Sequence, residues 1–137
     1  MPTHNEADSQ NAIELLLGGK IHTHWTSYDI DSDLQTPADD FNLTLGLPEG
    51  VTPPEVAAGE AVEVRVGGDT VLSGRIDAVS RQVAKGRNTL AINGRDGAAV
   101  LLDCSAPVIN AQDMCLGDIV AQIVKPLGIT KIRIDTA

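Results

Sequence analysis

The chain has 137 residues, a net charge of −9 and only three aromatic side chains. A chain of this length folds without a metal or disulfide framework, and it holds no run near the ~18 apolar residues of a membrane span. Residues 1–60 carry one base and eleven acids, a net charge of −10, whereas residues 61–137 carry nine bases and eight acids, a net charge of +1. Specific nucleic-acid binding and base or sugar stacking are therefore not favoured, because they need surplus bases and aromatic rings.

The first twelve residues are predicted to form a disordered polar tail. They lack the basic and apolar segments of a signal peptide. From residue 13 onward, apolar and polar residues alternate with the period of strands in an antiparallel sheet. The predicted strands are Ile13–Leu17, Ile21–Ile30, Phe41–Leu47, Val62–Val66, Val71–Val83 and Thr89–Asn93. Six short strands separated by turns favour a small β-barrel or a sandwich.

Glycine and proline residues predict the connections between these strands. Turns are expected at Gly18-Gly19, at Gly67–Thr70 and at Lys85–Asn88, and Gly74 is expected to mark a bulge or bend inside a long strand. The stretch 46–59 carries three prolines, so we predict a surface loop there.

After residue 96 the hydrophobic period becomes that of helices. A short helix is predicted at Ala98–Leu102 with Asp96 as its N-cap, and a longer amphipathic helix from Leu116 to Leu127. A strand is predicted at 131–135. We place a barrel domain at residues 13–103 and assign residues 104–137 to a linker and the truncated start of a second α/β domain.

The stretch Gly94–Gly97 (GRDG) lies between a strand and a helix, where some proteins bind phosphate. It lacks the leading GxG of a dinucleotide site, and Asp96 would place a carboxylate where a phosphate should lie. We therefore predict a turn with a helix cap, and we expect the surrounding residues 92–108 to be buried.

Cys104 and Ser105 are candidates for a nucleophile, which would make the chain a small hydrolase. A nucleophile needs a nearby base, and all three histidines fall within the first 24 residues. The two cysteines, Cys104 and Cys115, form no CxxC pair and suit a reducing compartment, although a disulfide between them stays an alternative.

His22 and His24 have the spacing of a metal pair on one strand, but no third ligand is identifiable. Asp29, Asp31 and Asp33 also alternate, and we interpret them as an acidic sheet face that discourages edge-to-edge pairing. The residues thus predict no enzyme, no catalytic or metal-binding site and no cofactor.

Four segments, taken in order, resemble the baseplate hub proteins of Mu-like contractile-tailed phages. Residues 15–45 (LLLGGKIHTHWTSYDIDSDLQTPADDFNLTL) resemble the first strand region of that family, and residues 59–83 (GEAVEVRVGGDTVLSGRIDAVSRQV) resemble its hairpin. Residues 92–108 (INGRDGAAVLLDCSAPV) and 116–129 (LGDIVAQIVKPLGI) resemble two further patterns. The residues that carry the first pattern are Trp25, Ser27, Ile30, Leu34, Phe41, Leu43 and Leu45.

The resemblance implies a mainly β (α+β) fold, a split antiparallel β-barrel of about six strands with one short and one longer helix. It implies a structural subunit that joins the tail tube to the central spike, assembles as a homotrimer with other tail and baseplate proteins, and resides in the virion after synthesis in the host cytoplasm. It implies no membrane partner and no catalytic residue. The acidic half would then line a DNA channel, through Asp29, Asp31 and Asp33 or through Asp39 and Asp40. A cell-wall or glycan-binding module is the alternative.

Overall fold

The computed structural model describes residues 12–23, 25–48, 50–130, 133 and 135. The strands in this part of the chain are β1 (Ile13–Leu17), β2 (Lys20–His22), β3 (Ser27–Asp31), β4 (Asp40–Leu47), β5 (Ala61–Val66), β6 (Asp69–Ala84) and β7 (Arg87–Asp96). The helices are α1 (Ala99–Asp103) and α2 (Leu116–Val124), and a 3-10 helix at Lys125–Leu127 continues α2. None of the described helices has the length and apolarity needed to cross a membrane.

The fold is mainly β, with all seven strands in one antiparallel sheet of order β2-β1-β5-β6-β7-β4-β3. Strands β2 and β3 are the two edges, and within the described residues they do not pair with each other. The sheet is therefore not closed by hydrogen bonds, and the predicted barrel is not confirmed.

The seventh strand arises because the predicted strand Ile21–Ile30 is broken in two. The prediction of one continuous strand is wrong: β2 pairs with β1, whereas β3 pairs with β4 at the opposite edge of the sheet. The chain crosses between the edges around Trp25, whose indole N–H donates to the carbonyl of His22 at 3.2 Å. Thr26 then joins the second edge, because its N–H donates to the carbonyl of Thr44 at 2.7 Å.

Strand β6 changes partners along its length. Its start, Asp69–Arg75, pairs with β5, and the part from Gly74 to Ala84 pairs with β7. We call β2-β1-β5 with the start of β6 the first half-sheet, and the end of β6 with β7-β4-β3 the second half-sheet. The bulge expected at Gly74 lies elsewhere, since the register of β6 shifts at Val71 against β5 and at Asp77 against β7. Gly74 instead allows a close approach, because a Cβ there would lie 1.9 Å from the carbonyl oxygen of Arg95.

The apolar face of the sheet forms the core of the protein. Leu15 on β1 and Phe41 on β4 are both fully buried in the same cluster, although they belong to different half-sheets. Because residues of both half-sheets pack in this one cluster, the sheet curves over its own apolar face. Val56, from the loop between β4 and β5, completes the cluster.

The predicted helices are confirmed, with small shifts of their ends. Gly128 ends the second helical segment with a φ of +84°, a conformation that costs glycine little. The expectation that residues 92–108 are buried is wrong in its second half, because Leu101 and Leu102 are 42% and 51% exposed. All but the last residue of the predicted tail at 1–12, and most of the predicted strand at 131–135, lie outside the described residues.

Candidate functional site

The GRDG stretch has a structural role at the end of β7. Gly94 is buried in β7, where an added Cβ would lie 2.2 Å from the carbonyl oxygen of Arg75. The Asp96 carboxylate accepts a hydrogen bond from the N–H of Ala98 at 2.9 Å. The predicted N-cap at Asp96 is wrong, because the helix begins at Ala99 and its N-cap is Ala98, which makes no side-chain cap hydrogen bond. The Asp96 carboxylate instead binds an amide just ahead of the helix, where a phosphate would need it.

The strongest polar cluster of this region surrounds Arg95. Its guanidinium donates to both carboxylate oxygens of Asp77, at 2.7 and 3.2 Å, and to both of Asp103, at 3.1 and 2.7 Å. Asp77 is the extra residue of the β6 bulge against β7, and Asp103 is the last residue of α1. The arginine therefore joins the outer side of the sheet to the short helix.

These contacts shift the ionisation of the groups involved. The Arg95 guanidinium lowers the pKa of Asp103 below its ordinary value, and its hydrogen bonds to Asp77 and then Asp103 raise the pKa of Arg95 itself. Arg95 and Asp103 are therefore both charged at neutral pH. Nothing in the sequence indicates this cluster, since residues 77, 95 and 103 share no recognisable spacing.

The predicted nucleophile candidates lie apart from any described base. Cys104 and Ser105 are exposed, and Cys104 borders an open groove of about 750 Å3 between α1 and residues 124–130. The residues that line this groove include no histidine. Cys104 and Cys115 are both free thiols in this structure, and the Cys115 thiol donates to Asp118 at 3.0 Å.

The predicted metal pair is not assembled by the described residues. His22 is the last residue of β2, and His24 lies outside the described residues. Within the described ranges, no group of three or more His, Cys, Asp or Glu side chains is placed to hold a metal ion. Asp29 and Asp31 lie on edge strand β3, whereas Asp33 lies in the turn that follows.

The outer face of the second half-sheet is a broad polar surface. The register places its side chains opposite the buried ones, because successive residues of a strand point to opposite faces. Between Arg95 at one end and Arg87 at the other, these described strands contribute no Lys or Arg to the face. Its members are Asp29, Asp31, Asp40, Asn42, Thr44, Thr89, Ala91, Asn93, Ser80 and Gln82. We call this surface the polar face.

Comparison with known proteins gives the family of the chain. Residues 12–96, which span all seven strands, match the family model described as Mu phage baseplate assembly protein GpP-like, N-terminal. The chain belongs to this Mu phage baseplate family. The family resemblance that the sequence segments indicate is thereby confirmed.

Named relatives of the family agree with this assignment. The chain is 30% identical over 122 residues to the baseplate hub protein gp44 of Escherichia phage Mu, covering 88% of this chain and 32% of that protein. The crystal structure of the tail protein from Neisseria meningitidis MC58 has a TM-score of 0.72 and 38% identity, covering 84% of this chain and 33% of the other. The 43 kDa tail protein of prophage MuSo2 from Shewanella oneidensis has a TM-score of 0.77 and 29% identity, covering 86% and 39%. The chain thus spans about a third of the length of these relatives.

Proposed function

We propose that the chain is the N-terminal part of a structural baseplate subunit that joins a phage tail tube to the central spike. The family assignment and the tail proteins among its relatives support this role. The part of the chain that the structure describes offers hydrogen bonds and ion pairs that hold the fold together, and the proposed subunit is not an enzyme. Its place is the virion tail, reached by assembly after synthesis in the host cytoplasm.

The proposed subunit forms a homotrimer, in which the two half-sheets act as a split β-barrel. The shared core supports this arrangement, because apolar residues of both half-sheets pack in a single cluster. The outer edges of strands β2 and β3 are left unpaired in the single chain, within the described residues. Neighbouring subunits or other tail proteins cover such edges in an assembly.

The polar face is the surface that lines the DNA channel in this proposal, and the observation that carries it is the absence of free bases from the middle of the face. DNA adheres to surfaces that present Lys and Arg, because those side chains displace its counterions. Asp29, Asp31 and Asp40 lie on this face, and the Arg95 guanidinium is already bound by two carboxylates. A wall of this composition lets DNA pass without binding it.

Introduced bases on the polar face test the channel proposal. Asp29 and Asn42 are exposed cross-strand neighbours, so Asp29→Lys with Asn42→Lys adds three positive charges at one place. In phage particles that carry the complete subunit, we expect normal assembly by electron microscopy and a DNA delivery lowered at least tenfold. The matched control is Asp69→Lys with Ser73→Lys, which adds the same charge to the first half-sheet.

Two outcomes would contradict the channel proposal. One is equal DNA delivery by the test and control variants in assembled particles. The other is a baseplate reconstruction in which Asp29 and Asp31 face the outer wall.

The alternative functions have less support. Of the three aromatic side chains, Phe41 is buried and Trp25 is half-buried, and only Tyr28 is largely exposed, at 54%. A glycan-binding module usually stacks sugars on exposed rings, and binding of the chain to peptidoglycan in a pull-down would favour that alternative. A hydrolase that uses Cys104 or Ser105 would lose activity in the Cys104→Ala or Ser105→Ala variant.

A further inference from the structure

The second half-sheet has ends of opposite charge. The turn that joins β3 to β4 lies at one end, and the hairpin that joins β6 to β7 lies at the other, because β4 pairs Asp40 with Arg95 and Leu47 with Asn88. The acidic turn carries Asp31, Asp33, Asp39 and Asp40, and the basic tip carries Arg81, Lys85 and Arg87. The charge is thus polarised along the strands of one half-sheet.

Each end also presents one exposed aliphatic side chain. Leu34, in the acidic turn, has a relative exposure of 103%, and Val83, on the basic tip, has one of 83%. Both side chains are apolar, yet their exposures are far above those of the core residues. An exposed aliphatic group surrounded by charges of one sign is suited to a partner with an aliphatic group and the opposite charge.

The acidic turn is held in a defined shape by its own hydrogen bonds. The Asp33 carboxylate accepts from the N–H of Gln35 at 2.9 Å, and the carbonyl of Asp33 accepts from the N–H of Thr36 at 3.0 Å. The hydroxyl of Ser32 donates to Asp39 at 3.0 Å. Leu34 projects from this hydrogen-bonded turn, so its exposure follows from the turn geometry.

The acidic turn and the basic tip of one copy are too far apart to contact each other. Seven residue steps of β4 separate the pairs Asp40–Arg95 and Leu47–Asn88, which is about 23 Å at about 3.3 Å per residue. We propose that the acidic turn of one copy binds the basic tip of a second copy, with Leu34 against Val83 and the carboxylates around Arg81, Lys85 and Arg87.

A contact between two different surfaces of the same chain is head-to-tail. Such a contact repeats from copy to copy and closes into a ring when the rotation between copies allows it. The inference deepens the proposed function, on which it rests, by naming the surfaces that join neighbouring subunits. Asp31 and Asp40, at the end of the polar face, belong to this contact, whereas Asp29 and Asn42 take no part in it, so the channel and the contact can be tested separately.

Engineered cysteines test the contact directly. In the full chain with Cys104 and Cys115 replaced by serine, Leu34→Cys and Val83→Cys together should give a ladder of disulfide-linked oligomers under mild oxidation. A disulfide needs Cα atoms within about 7 Å, so these two positions can be linked only between copies. When the single variants Leu34→Cys and Val83→Cys are mixed, cross-linking should stop at dimers that contain one copy of each variant.

The matched control pairs Leu34→Cys with Val71→Cys, which is 46% exposed on the start of β6 in the first half-sheet. This pair should cross-link at least tenfold less than the test pair. Equal cross-linking of the two pairs, or no link between positions 34 and 83, would overturn the proposed contact.

A charge swap provides the second test. Lys85→Asp with Arg87→Asp should lower the cross-linking yield about tenfold, since each exposed ion pair changes an equilibrium by about 1.5- to 5-fold. Asp31→Lys with Asp40→Lys, which leaves the hydrogen bonds of the acidic turn intact, should lower it similarly, and the four changes combined should restore most of the yield. A combined variant that stays as weak as either reversal would overturn the proposal, and so would a yield that does not fall when salt is raised to about 1 M.

The outcomes separate this contact from the proposed function. A complete ladder together with unchanged DNA delivery in the variant with Asp29→Lys and Asn42→Lys would reject the channel and keep the contact. A ring without the 34–83 link would reject the contact and keep the structural role.

Discussion

Substitution of Gly94 by alanine tests whether the GRDG glycines serve strand packing. The added Cβ would lie 2.2 Å from the carbonyl oxygen of Arg75 and 2.7 Å from two ring carbons of Phe41. Ordinary contact begins near 3.4 Å, so the backbone at the junction of the half-sheets must move by more than 1 Å. Overpacking of this kind costs about 1–3 kcal/mol, and a weakened sheet hydrogen bond adds about 1 kcal/mol. We expect the free energy of unfolding to fall by about 3 kcal/mol.

Urea denaturation followed by circular dichroism measures this loss. With a slope of about 2 kcal/mol per molar urea, the midpoint should fall by about 1.5 M. Gly97→Ala is the matched control, because nothing lies within 4 Å of its added Cβ, and its midpoint should change by less than about 0.3 M. Removing the ring contact with Phe41→Leu should not rescue Gly94→Ala, since the clash with the carbonyl persists. Equal midpoints for the two alanine variants would refute the packing role of Gly94.

Three further predictions concern β7 and the residues that follow it. Because Arg95 lowers the pKa of Asp103, the contact between them contributes stability above the ordinary pKa of an aspartate and loses it as the pH falls through the lowered value. Arg95→Gln should raise the Asp103 pKa in a carboxyl NMR titration, and an unchanged value would contradict the contact. Leu101→Asp should be tolerated, because Leu101 is 42% exposed, whereas Ile92→Asp should unfold the chain, because Ile92 is 1% exposed. Ser105→Ala should leave the thermal midpoint unchanged, and a large shift in its circular dichroism melt would show that Ser105 is part of the packing.

The alternation of residues predicted which face of each strand is buried but not which strands are neighbours. The prediction is correct for the strand around Phe41, whose apolar residues all face the core. It failed at Ile21–Ile30, because an alternating pattern continues unchanged when the chain leaves one partner strand for another at a different edge. Gly74 was predicted to be special for the wrong reason, since the bulge positions depend on the register with β5 and β7.

The features of the candidate site were predictable from the sequence only where they depend on residues that are close together along the chain. The Asp96 carboxylate binds the N–H of Ala98 two residues on, so the local pattern indicates a backbone contact there, although Asp96 is not the N-cap of the helix. The Arg95 cluster depends on a bulge and a helix end that are distant in sequence, so no spacing indicates it. Likewise, Val83 belongs to an alternating strand and would be expected inside, but the β6–β7 hairpin extends beyond the core.

The partner change of strand β6 also determines how force passes through the domain. The two half-sheets share one continuous backbone of sixteen residues from Asp69 to Ala84. A load applied along this strand at the basic tip reaches the first half-sheet through covalent bonds, without first breaking the hydrogen bonds between strands. In the proposed baseplate subunit, this strand would keep the two halves connected under tension.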